Sequence, residues 1–93
     1  MSVEVRLHAI VHGRVQGVSF RYYTVQRARE LGVTGYARNR WDESVEVMAE
    51  GQRAAVDELL AFLQVGPRAA FVTGVDVQWL APTDDFERFE VHH

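Results

Sequence analysis

The sequence predicts a single α+β domain in which two helices lie on one face of an antiparallel sheet of four to five strands. Three observations predict it. Four stretches alternate apolar and polar residues with period two, the mark of a strand buried on one side. Two others align apolar residues along one helical stripe. These segments follow one another as strand, helix, strand, strand, helix, strand, with a short extra strand at the end. The 93 residues suit one modest core and not two, so 1–93 is read as one domain.

The first strand runs from Val3 to Val11, with Val, Val, Leu, Ala and Val at the odd positions. His8 and His12 share the other face, but four residues of strand hold them roughly 13 Å apart, too far to bridge one metal ion. They are read as surface histidines. Ser19 is placed as the N-cap and Gly32 as the C′ residue of a helix from Phe20 to Leu31, with Phe20, Tyr23, Thr24, Ala28 and Leu31 on its core stripe. A hairpin follows, strand 34–40, turn 41–44 and strand 44–50. In its first arm Ala37 and Asn39 share one face while Tyr36, Arg38 and Arg40 take the other. Asn39 therefore points inward with Ala37, where it either ties down the turn or serves a site.

Val56, Leu59, Leu60 and Leu63 make the stripe of a second helix, 53–64, which Gly66-Pro67 ends. The fourth strand spans 70–80 with Val75, Val77 and Trp79 alternating, and Phe89 with Val91 forms the short last one. Two crossovers and one hairpin in this order build the split βαβ, or ferredoxin-like, arrangement. Many functions share that fold, so it names none.

Gly13-Arg14-Val15-Gln16-Gly17-Val18-Ser19-Phe20-Arg21 joins the first strand to the first helix. Glycines let a loop turn several N–H groups towards one point, and the helix behind it aims its free N–H groups there too. Arg21 falls in the first helical turn, where the helix dipole repels a cation unless an anion lies between them. The stretch reads as an anion cradle or as a mobile connection ending in a solvated arginine. It is neither a Walker A loop nor Gly-x-Gly-x-x-Gly, so no nucleotide is implied.

Composition narrows the alternatives. With no cysteine there is neither a disulfide nor thiolate chemistry. The formal charge of −3 argues against a nucleic-acid partner, while Arg14, Arg21, Arg38 and Arg40 form a local group that suits one small anion. The alternating N-terminus is unlike a signal peptide, and no stretch is long enough to span a bilayer. A cytoplasmic monomer without membrane partner is the expectation.

The run Gly-Arg-Val-Gln-Gly-Val-x-Phe-Arg, followed by Leu31-Gly32-Val33-Thr34-Gly35-Tyr36-Ala37-Arg38-Asn39, resembles the acylphosphatases, small enzymes that hydrolyse the carboxyl–phosphate bond. Weaker similarities follow in order at Val45-Glu46-Val47 with Glu50-Gly51, Leu63-x-x-Gly66-Pro67 with Ala70, and Phe89-Glu90-Val91. The resemblance implies catalytic roles for Arg21, which binds the phosphate, and Asn39, which orients the attacking water. It makes the loop residues Gln16, Gly17, Val18, Ser19 and Phe20, with Arg21, the phosphate cradle. The substrate would be a small acyl phosphate, with inorganic phosphate as product and competing ligand.

The chemistry agrees. Preorganised donors dominate phosphoryl transfer, and an amide accepts from and donates to water without adding a negative charge. A carboxylate leaves without a proton, since its conjugate acid has a pKa of about 4, so the lack of an obvious general acid selects acyl phosphates. Neither a metal nor another cofactor is expected. Ser19 is read as a cap and not a nucleophile. Two other classes compete, a small-anion binding module and a ferredoxin-like single-stranded RNA binder. Trp41-Asp42-Glu43-Ser44 lacks the glycine that a type I′ turn wants.

Overall fold

The structure, a computed structural model, describes residues 4–93; Val3, placed at the start of the first strand by its pattern, lies outside them. The elements are β1 (Glu4–Arg14), α1 (Phe20–Leu31), β2 (Thr34–Asn39), β3 (Val45–Gln52), α2 (Arg53–Val65), β4 (Phe71–Leu80) and β5 (Phe89–His92). The sheet order is β4-β1-β3-β2-β5. The first four strands pair antiparallel, as the ferredoxin-like order requires, and β5 adds to β2 in parallel.

Period two holds in β1, where Leu7, Ala9 and Val11 are fully buried against Ala37 of β2 and Val45, Val47 and Ala49 of β3. From the helices, Phe20, Ala28, Val56, Leu59 and Leu63 close that face. Phe20 begins α1, and its ring packs 6.3 Å from that of Phe62 in α2. Truncating so buried a ring costs about 3–5 kcal/mol. In α1 the buried stripe is Phe20, Thr24 and Ala28, whereas Tyr23, expected on it, remains 44% exposed. Gly32 ends α1 in the left-handed conformation, φ 71°, as placed.

Three further differences concern the site. β1 continues through Gly13 and Arg14, which the pattern gave to the loop, and its register on β4 shifts between His12 and Gly13. At φ 123° Gly13 lies so close to β4 that a Cβ there would collide with the Phe71 carbonyl, so the bulge needs glycine. β4 stands at the sheet edge, and the alternation expected of it does not carry over into burial, since Val77 and Trp79 are exposed.

The β2–β3 connection supplies the third. Glu43 N–H donates to the Arg40 carbonyl at 3.2 Å and Arg40 N–H to the Ser44 carbonyl at 2.9 Å. Glu43 is left-handed at φ 73°. Without glycine, the chain thus makes a three-residue loop with its last residue left-handed instead of a type I′ turn. Asp42 stabilises it by accepting from Ser44 N–H at 3.1 Å and Ser44 Oγ at 2.5 Å. Those two bonds hold the Asp42 carboxyl below its ordinary range.

Candidate active site

The loop after β1 alternates its handedness. Gly17 has φ 73° and Ser19 φ 60°, while Gln16, Val18 and Phe20 stay at negative φ. Alternation of right- and left-handed residues turns successive N–H groups inward, the geometry of an anion nest. Ser19 stands at the N-cap position, but its left-handed backbone leaves the hydroxyl without a capping bond, contrary to the capping role expected of it. No acidic side chain lies in the first turn of α1 either. The early N–H groups of the helix thus have no side-chain cap, at the end where an anion is favoured.

A non-glycine residue in this conformation costs about 1–2 kcal/mol. The carbonyl of Ser19 recovers the first helical bond, accepting from Tyr23 N–H at 3.1 Å. Gln16 explains how the loop is held in place. Its Nε2 donates to the carbonyls of Arg40 and Ser44, each at 2.8 Å, fastening the loop to the β2–β3 turn. The Gln16 side chain is therefore an anchor on the turn and is not among the residues lining the cleft. The Val18 side chain likewise lies outside the cleft, in a neighbouring groove.

The cleft, about 410 Å³, is lined by Val15, Gly17, Ser19, Phe20, Arg21, Tyr22, Asn39 and Val91. Arg21 and Asn39, 18 residues apart in sequence, meet there because α1 begins beside the last residue of β2. Parity placed Asn39 correctly, since Ala37 is fully buried on the same face. Its Oδ1 is buried yet has no hydrogen-bond partner among the described residues. Of the two readings left open, tying down the turn is done instead by Gln16 and Asp42. An acceptor left free in this way costs about 1–3 kcal/mol, which a water or substrate atom would relieve.

Arg21 makes no ion pair among the described residues. The rest of the expected arginine group disperses. Arg38 turns to the outer face and meets Glu46 at 2.7 Å, Arg40 lies 4.0 Å from Asp42, and Arg14 lines a separate small groove. Parity had already put Arg38 and Arg40 opposite Asn39; Arg38 obeys it, whereas β2 ends at Asn39 and Arg40 belongs to the turn. Tyr22 and Val91 are lining residues that the motif did not single out. Tyr22 follows Arg21 in the helix, and Val91 arrives through the parallel pairing of Ala37 with Val91, which no local pattern announces.

His8 and His12 are separate, as their spacing required. His8 Nε2 is 2.7 Å from Glu46 Oε2 and His12 Nε2 is 2.8 Å from Asp76 Oδ2. Burial pushes the Glu46 carboxyl up, but bonds from His8 and the Arg38 charge outweigh it and hold the group below its ordinary value of 4.5. Among the described residues, Arg21 and Tyr22 are the titratable groups that line the cleft. Among the described residues no three His, Asp or Glu side chains gather as metal ligands, and no helix is long and apolar enough to cross a membrane.

Known proteins share this chain's sequence and its shape. The acylphosphatase family model matches residues 7–91. An acylphosphatase of Anaeromyxobacter dehalogenans is 46% identical over 91 residues, covering 98% of each chain. The crystal structure of acylphosphatase from Bacillus subtilis superposes with a TM-score of 0.92 at 31% identity, over 96% of this chain and 99% of that one. An acylphosphatase structure from Coxiella burnetii gives 0.90 at 35% identity, over 96% and 93%. With the family matched from Leu7 to Val91 and the nest, Arg21 and Asn39 in one cleft, the chain belongs to the acylphosphatases, the hydrolases of acyl phosphates.

Proposed function

We propose that this chain hydrolyses small acyl phosphates without a metal ion, using Arg21 and the N–H groups of residues 16–20 to hold the phosphoryl group and Asn39 to place the water. The observation that carries the reading is the set of unmet partners in one cleft. Among the described residues Arg21 has no carboxylate, the N-terminus of α1 has no side-chain cap, and Asn39 Oδ1 has no donor. Each is satisfied at once by an anionic phosphoryl group with a water beside it.

In this mechanism Asn39 Oδ1 accepts a hydrogen bond from the water and aims its oxygen at phosphorus. The new phosphorus–oxygen bond forms as the bond to the acyl oxygen breaks. That oxygen leaves with the bonding pair as a carboxylate, which needs no acid. Both water protons depart with inorganic phosphate, so no base is required. Arg21 and the N–H groups meet charge spread over the equatorial oxygens, where preorganised donors act most strongly. Ser19 is not a nucleophile in this scheme, since no imidazole or carboxylate lines the cleft to activate it.

A monomer in the cytoplasm is part of the proposal. The test is hydrolysis of benzoyl phosphate at neutral pH in excess chelator, with inorganic phosphate added. Turnover that phosphate inhibits competitively is expected. Phosphate binding without turnover would make the chain an anion-binding module, and activity lost to the chelator would end the metal-free reading.

A further inference from the structure

We propose that the acyl part of the substrate lies in the groove between the first turns of α1 and the end of α2, with Arg68 at its mouth favouring acyl groups that carry a second negative charge. This rests on the acyl-phosphate reading above. The groove, about 520 Å³, adjoins the cleft through Ser19 and has Tyr23, Phe62, Pro67 and Arg68 among its walls. A different groove, walled by Tyr22, Val25, Arg29 and Val91, adjoins the cleft on the β5 side.

In-line attack chooses between them. Water held by Asn39 enters opposite the departing oxygen, so the acyl group must lie on the side of the phosphoryl group away from Asn39. Val91 pairs with Ala37, two residues from Asn39 on β2, which puts the β5 groove on the water's side. The α2 groove contains neither Asn39 nor Val91.

Its walls fit an acyl chain with an apolar body. Tyr23 sits one helical turn above Ser19, to whose carbonyl its N–H bonds, and it remains 44% exposed although the core stripe would bury it. The Tyr22 ring braces it edge-on at 5.3 Å. Phe62, held by Phe20, forms the other apolar surface. Arg68 is exposed and has no ion-pair partner among the described residues, whereas Arg6, Arg27, Arg38, Arg53 and Arg88 each meet a carboxylate. An unpaired guanidinium beside an apolar wall suits a carboxylate at the far end of the acyl group.

The experiment compares kcat/KM for acetyl, benzoyl and 4-carboxybenzoyl phosphate in the parent, Tyr23→Ala, Arg68→Gln and Tyr22→Ala. Ratios between substrates within one variant cancel any change in the folded fraction. Tyr23→Ala is expected to lower the benzoyl-to-acetyl ratio about tenfold, as loss of an apolar wall does. Arg68→Gln is expected to lower the carboxybenzoyl-to-benzoyl ratio about threefold, the size of an exposed ion pair, with the parent's preference fading in high salt. Equal losses on all three substrates, or a ratio that falls in Tyr22→Ala and not in Tyr23→Ala, would overturn the proposal. A parent inactive on all three would instead refute the hydrolase reading beneath it.

Discussion

On the outer face of the sheet Arg6, Arg38, His8 and His12 each rest against a carboxylate, whereas at the cleft, among the described residues, Arg21 has no carboxylate and Asn39 Oδ1 no donor. The same fold carries both regions on opposite sides of one strand, since Arg38 and Asn39 are consecutive in β2. The outer groups meet partners of opposite charge and stabilise only the fold, although Arg6 Nε and Glu46 Oε1 are buried there without a well-formed hydrogen bond. The cleft groups are left unsatisfied, and that deficit is what an incoming anion and water remove. A structural polar residue should then cost stability when removed, and a site residue should cost activity.

The largest effect expected on this basis is at Arg21. Arg21→Ala removes the one charged side chain among the described residues lining the cleft and should lower kcat/KM about 10³-fold or more, with phosphate inhibition lost. Its melting temperature should stay near the parent's, because no ion pair is broken. Asn39→Ala comes next. It should lower kcat by about 10²-fold and leave stability equal to the parent or up to about 1 kcal/mol higher, since an unpartnered buried acceptor is removed. A clear fall in melting temperature would place Asn39 among the structural residues instead.

Glu46 sharpens the other side of the comparison. Its folded pKa is lowered, so its contribution to stability is fully present above the ordinary value of 4.5 and is lost as pH falls through the lower folded value. Acid unfolding should therefore be shallower in Glu46→Gln than in the parent below about pH 4.5, while turnover at neutral pH changes little. The smallest effect belongs to Ser19→Ala, which should keep turnover within about threefold because the hydroxyl neither caps nor attacks. Complete loss with the fold intact would bring back covalent catalysis.

Most of the scaffold was legible because periodicity reports burial directly. β1 and α2 follow their stripes, α1 follows its own at Phe20, Thr24 and Ala28 but not at Tyr23, and even the inward direction of Asn39 came from counting parity from Ala37. What stayed hidden depends on distant partners. The Ser19 cap failed, since the residue takes the left-handed conformation in place of the extended one usual at an N-cap and its hydroxyl makes no capping bond. Gln16 was read for its place in the motif, yet its side chain serves a hairpin 24 and 28 residues away. Val91 joins the cleft only through a parallel pairing that closes the fold. Tyr23 stands outside the buried stripe of Phe20, Thr24 and Ala28, and its exposed ring lines the neighbouring groove.

The division of labour between Arg21 and Asn39 is tested most directly by measuring kcat and the inhibition constant of phosphate together in Asn39→Ala. If Asn39 acts on the water alone, kcat falls by about 10²-fold while phosphate binds within about twofold of the parent. A phosphate constant that rises in step with the loss of kcat would mean that Asn39 holds the phosphoryl group, and the water-placing account would be wrong.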